Sequence, residues 1–119
     1  TRLRTVTGVQ TCALPIFEKW IINNEKYCGK ILYIVKDRKC SWHYHKLKDE
    51  TFYVQSGKIV LRYGKLDSLI KTETILNRGD HFHIPPFLVH QMIALEDTEL
   101  FEFSTQHFDS DSYRIEKGD

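Results

Sequence analysis

The chain is predicted to be an all-β, antiparallel sandwich or barrel, on three observations. From residue 30 onward, short runs rich in β-branched and aromatic residues alternate with turn residues. No apolar pattern holds a 3.6-residue period over the length of a helix. The connections are short, as expected where neighbouring strands in sequence pair in space. The strands are read at 30–36, 40–46, 50–55, 58–63, 69–76, 81–84, 89–95 and 100–105, with a shorter one around 20–22. The breaks fall where turn chemistry is available: Asp37-Arg38, Lys48-Asp49, Ser56-Gly57, residues 64–67, residues 77–80, Pro85-Pro86 and Glu96-Asp97.

At 119 residues, with 41% hydrophobic and 13% aromatic side chains, the chain is sized for one domain with one core. No apolar run approaches the roughly 18–20 residues of a membrane span, and no secretory signal is recognisable. A cytoplasmic protein with no membrane partner is expected. Residues 6–16 resemble the read-through translation of a sequencing-library adapter, so 1–16 is read as a non-native leader and 17–119 as the single domain. Setting the leader aside removes Arg2 and Arg4 and takes 17 basic residues to 15, against 16 acidic. That balance implies no nucleic-acid partner. Cys12 goes with the leader, and Cys28 and Cys40 are expected to be reduced thiols.

One constellation carries chemistry. His43 and His45 are two apart on a predicted strand and so project from the same face. A polar turn at 46–49 leads into a second strand that opens with Glu50, which the hairpin returns beside the histidines. His90 supplies a further imidazole. Three neutral nitrogens and a carboxylate suit one divalent transition metal, with Zn, Mn, Fe and Ni all fitting. The pleat puts Phe52 and Val54 on the face of Glu50, and Met92 and Ala94 on that of His90. An apolar cup around the ion follows.

The spacing His43-x-His45-(x4)-Glu50-(x6)-Gly57 resembles the first cupin motif, and Gly79-(x5)-Pro85-x-Phe87-(x2)-His90-(x3)-Ala94 resembles the second. The resemblance implies a jelly-roll β-barrel, with His43, His45, Glu50 and His90 as metal ligands. Three positions depart from the pattern: Asp37 and Phe87 stand where glycine is usual, and Ala94 where asparagine is. At Phe87 the change matters for the turn before His90, because glycine tolerates positive φ and phenylalanine seldom adopts it.

A narrower resemblance runs through Glu18-Lys19-Trp20, Tyr27-Cys28-Gly29-Lys30, residues 101–105 and Asp111-Ser112-Tyr113-Arg114. These look like the small cupins related to the mannose-6-phosphate isomerase domain of bifunctional guanylyltransferases. The resemblance implies aldose-ketose isomerisation of a sugar or sugar phosphate. Glu102 or His81 would be the acid/base group, and Arg114 and His83 would bind substrate. Two other readings stand beside it: a non-catalytic sugar-binding or regulatory module, and an Fe(II) dioxygenase. The family also implies a homodimer, for which Tyr53 and Tyr63 are the expected exposed contacts. His107 is given no functional reading, and Trp20, Trp42, Phe82, Phe101 and Phe103 are read as core or interface aromatics.

Overall fold

Alternation of buried and exposed side chains dictates most of the architecture. The computed structural model describes residues 2–5 and 16–119. In chain order the strands are β1 (Arg2–Thr5), β2 (Ile16–Asn23), β3 (Cys28–Ile34), β4 (Trp42–Tyr44), β5 (Glu50–Ser56), β6 (Lys58–Lys65), β7 (Thr72–Asn77), β8 (His81–Ile84), β9 (Leu88–Ala94), β10 (Thr98–Ser104) and β11 (Tyr113–Glu116). A 3₁₀ turn, Asp109–Asp111, precedes the last strand. One sheet runs β1-β2-β3-β10-β5-β8 and the other β11-β4-β9-β6-β7, every pair antiparallel. This is the expected jelly-roll β-barrel. Among the described residues no helix is long and apolar enough to cross a membrane.

The inner face of the first sheet changes character along its strands. Thr98 pairs with Ile34, and Leu100 pairs with Leu32 and Val54, all buried. One inward step further along β10, Glu102 pairs with Lys30 and Phe52. Ser104 then pairs with Cys28 and Glu50. The apolar rows join Ile59, Leu61 and Met92 of the opposite sheet in the core. Burying each such side chain contributes roughly 1.5–3 kcal/mol. The charged rows mark the end of the barrel where a cavity opens.

Several sequence expectations shift at the edges. The strand expected at 69–76 starts at Thr72, because a turn at Asp67 (φ 70° region, at 69°) leaves Leu69 and Ile70 exposed. The strand expected at 40–46 shortens to Trp42–Tyr44, while Cys40 still donates its N–H to Met92 O. β11, short and polar, was not expected at all. Tyr63 does not present a surface for pairing: it faces inward against the core, 5.0 Å from the Phe82 ring. Tyr53 is on the outer face, 6.1 Å from the Phe101 ring. β2 begins at Ile16, the residue just before the expected boundary, and that side chain is completely buried. Of the remaining leader, Arg2–Thr5 pairs with β2, and residues 6–15, with Cys12, lie outside the described residues. Cys28 and Cys40 are free, buried thiols.

Both departures from glycine keep the conformation that glycine would give. Asp37 has φ 70° and Phe87 φ 71°. Phe87 is held there by donating its N–H to His45 O at 2.7 Å. The turn before His90 is therefore fixed to His45 despite its bulky side chain.

Gly57, at the β5–β6 hairpin, is constrained twice: its φ is 89°, and an added Cβ would lie 2.4 Å from Asp97 O. Gly57→Ala should destabilise the fold by about 1–3 kcal/mol, read as a lowered midpoint in urea with an unchanged m-value.

Candidate metal centre and cavity

Strand pairing brings the candidate ligand residues together before any side-chain contact is considered. His43 on β4 lies opposite His90 on β9, and His45 follows just past the end of β4. The ring centroids are 4.4 Å apart for His43 and His90, 5.0 Å for His43 and His45, and 5.6 Å for His45 and His90. One nitrogen from each of the three lies within 4.8 Å of the others. Glu50, from the start of β5, places Oε2 3.3 Å from Nε2 of both His45 and His90.

The second nitrogen of each ring is tied to the backbone. Nδ1 of His43 donates to Ser41 O at 2.9 Å, that of His45 to Asp111 O at 2.7 Å, and that of His90 to Leu88 O at 2.9 Å. With Nδ1 as the donor, the Nε2 atoms of the three rings are the ones turned toward one another and available as ligands. Burial, with His90 and His45 alongside, pushes His43 well below the ordinary imidazole value, so it is neutral at pH 7. Glu50 is 2% exposed. Burial opposes its ionisation, but the Lys48 ammonium, 3.5 Å from Oε1, holds it well below the ordinary carboxylate range.

Glu50 Oε2 and His90 Nε2 are buried without a hydrogen-bond partner. Orphaned buried acceptors are costly and rare. Here lone pairs face one another with no proton left to share, which is the donor set a divalent cation satisfies. The residues present therefore fit a metal ion. Cys40 lines the same cavity, and burial first, then Glu18 and Asp119, push its thiol up to about 12.

A cavity of about 310 Å³ opens on this cluster, with Phe52 and Met92 among its lining residues. It also holds buried charges. Lys48 Nζ donates to Glu102 Oε2 at 3.0 Å. Lys30 Nζ lies 3.7 Å from the same oxygen, 3.8 Å from Glu18 Oε1 and 4.2 Å from the Trp20 ring centre. Both ammonium groups are 3.1 Å from His107 Nδ1. Two cationic donors fix that nitrogen as an acceptor, and Nε2–H points to Asp109 Oδ1 at 3.0 Å. Burial opposes charge on Lys48, but Glu102 and Glu50 raise its pKa, so it is an ammonium throughout the working range.

Of the residues singled out from sequence, the structure gathers His43, His45, Glu50, His90 and Glu102 around one space, with Arg114 on its lining. Arg114 stands opposite His43 in the β4–β11 pairing. Glu102 points inward while Phe103, beside it, is 56% exposed. It does not bring in His81 and His83. Both are exposed on β8, an outer strand of the first sheet, and His83 pairs with the Asp49 carboxylate. Their alternation beside Pro85 selects the outward face of the strand.

Sequence reading missed Lys30, Lys48, His107 and Asp111. Lys30 left a signal, since it alternates with Cys28, Leu32 and Ile34 on an otherwise apolar face. Lys48 left none, because it sits in a polar turn where alternation says nothing.

A family model described as Cupin domain matches residues 31–104. No curated protein sequence matches the chain. Among solved structures, KdgF from Halomonas sp. superposes with a TM-score of 0.72 at 20% identity, covering 85% of this chain and 87% of that one. The capsular polysaccharide assembling protein CapF from Staphylococcus aureus gives 0.79 at 19%, covering 91% of this chain and 34% of its own. This chain thus spans about a third of CapF. An RmlC-like cupin from Shewanella frigidimarina gives 0.74 at 15%, covering 92% and 87%. At these identities the likeness is one of fold.

Burial, then Lys30 and Lys48, lower the His107 pKa from 6.5 to about 4. In that interval the unfolded chain carries a proton on this ring that the folded chain does not. Its contribution to stability is fully present above pH 6.5 and is lost as the pH falls toward 4. Thermal unfolding of the wild type should therefore lose more between those two values than that of His107→Gln. Parallel pH profiles would contradict the assignment.

Proposed function

The chain belongs to the cupin family, and we propose that it is a divalent-metal-dependent isomerase interconverting the aldose and ketose forms of a sugar phosphate. The observation that carries this reading is that one cavity is lined both by His43, His45 and Glu50 of the cluster, with His90 buried behind them, and by the Lys48–Glu102 pair. Isomerisation needs a group that polarises two neighbouring oxygens and a carboxylate that moves a proton between the carbons bearing them.

His43, His45, Glu50 and His90 would hold the ion, one of Zn, Mn, Fe or Ni, whose Lewis acidity stabilises negative charge developing on substrate oxygen. Lys48 donates hydrogen bonds to that oxygen and keeps Glu102 placed. Glu102 accepts the proton from C2 of the open-chain sugar and returns it to C1, while the hydroxyl proton of O2 passes to O1, which completes the ketose. Arg114 offers a guanidinium fork to the phosphate. A cavity of about 310 Å³ suits a single sugar. Phe52 and Met92 limit the water that competes for charge.

One observation favours a second reading, a sugar-binding module without turnover. The Glu102 carboxylate is already paired with two ammonium groups, Lys48 and Lys30, and must exchange one of those contacts to reach a substrate carbon. Two copies would pair through the outer face carrying Tyr53, Phe101 and Phe103. A monomer mass in solution would contradict that arrangement.

With mannose 6-phosphate as substrate, turnover should disappear on chelation and return with added metal. Glu102→Gln should lower kcat about 100-fold or more while leaving KM nearly unchanged. Activity that survives complete metal removal, or a Glu102→Gln variant with wild-type kcat, would contradict the isomerase. Saturable binding of the same sugar phosphate without turnover would establish the second reading.

A further inference from the structure

Asp111, at the end of the 3₁₀ turn, is 4% exposed. Its carboxylate accepts hydrogen bonds from three successive backbone N–H groups across the β4–β5 loop. Oδ1 takes that of Lys46 at 2.8 Å and that of Leu47 at 3.1 Å. Oδ2 takes that of Lys48 at 3.0 Å and contacts Leu47 N at 3.2 Å. Consecutive N–H groups turned toward one point form an anion-binding concavity, here filled by a side chain more than 60 residues away in sequence. The backbone carbonyl of the same residue accepts Nδ1–H of His45 at 2.7 Å.

We infer that Asp111 is the positioning residue of the metal centre, fixing the donor nitrogen of His45 through its carbonyl and the His45–Glu50 loop through its carboxylate. The inference rests on the metal reading above. Those loop contacts run from the residue after His45 to Lys48, two residues before Glu50, so one side chain sets the spacing between two ligands. They also hold the loop in the form that turns Leu47 outward, 67% exposed, and Lys48 inward, 3% exposed. The sequence then continues through Ser112 to Arg114, both on the cavity lining. Without this anchor the His45 ring keeps no fixed partner for Nδ1, and either nitrogen can carry its proton. His43 and His90 take their backbone partners from Ser41 and Leu88 and are independent of it.

The test uses the full metal-free chain as wild type, Asp111→Ala and Asp111→Asn. Each is titrated calorimetrically with Zn²⁺, and its imidazole tautomers are read by long-range ¹H–¹⁵N correlation. Thermal unfolding of the metal-free forms is followed in parallel. Asp111→Ala should bind Zn²⁺ about ten-fold or more weakly, and its His45 should populate both tautomers while His43 and His90 keep Nδ1–H. Asp111→Asn, which retains one acceptor oxygen, should fall between it and the wild type. A merely structural role would lower the unfolding midpoint and leave Zn²⁺ affinity and the His45 tautomer at wild-type values, which would overturn the inference. If the alanine variant does not fold, the asparagine variant decides by the same two readouts. A wild type that takes up no Zn²⁺ would contradict the metal reading, and the His45 tautomer would still decide the role of Asp111.

Discussion

The burial of Glu50 is the constraint around which this end of the barrel is organised. A carboxylate removed from water needs compensation worth several kcal/mol. Lys48 supplies part of it at one oxygen, while the other faces lone pairs on His45 and His90. Neutral imidazoles cannot satisfy that oxygen once their Nδ1 protons are committed to backbone carbonyls. A divalent cation would satisfy Glu50 and all three rings together, which links this buried carboxylate to the chemistry proposed for the site.

The neighbouring charges extend the same logic. Lys48 lies between Glu50 and Glu102, and Glu102 lies between Lys48 and Lys30. Signs alternate along this line, so removing any one member leaves a buried neighbour uncompensated. Trp20 covers Lys30 with its ring face and His107 joins the two ammonium groups. The result is a polar, ordered cavity on top of an apolar core. On the first sheet both are built from successive inward positions of the same three strands, β3, β10 and β5.

Legibility in the sequence followed the physics of each feature. The all-β fold was readable because alternation and turn chemistry are local, as in Glu50-Phe52-Val54 facing inward. His43, His45 and Glu50 were readable because strand and hairpin geometry constrain their spacing, whereas His90 joined them through the resemblance to the second cupin motif. Alternation could not say which face of β8 is inward, and His81 and His83 turned out to be on the other one. Nor could it place Lys48, whose orientation is set by Asp111 from the far end of the chain. Tyr63, expected outside and found against the core, is a different case, because alternation with Ile59 and Leu61 on β6 already puts it on the inner face. Burial at an edge depends on which strands close over it, and that is a long-range property. The left-handed backbone at Asp37 and Phe87 shows the converse: a family turn kept by tertiary hydrogen bonding after the residue that favours it has gone.

Metal content is the most direct test of this account. Protein purified without added metal, or reconstituted from the chelated form, should carry one divalent transition ion per chain by elemental analysis, and His90→Ala should lose it while remaining folded. A folded wild type that stays empty after exposure to Zn, Mn, Fe and Ni would contradict the assignment of the cluster as a metal centre. So would a His90→Ala variant that retains the ion.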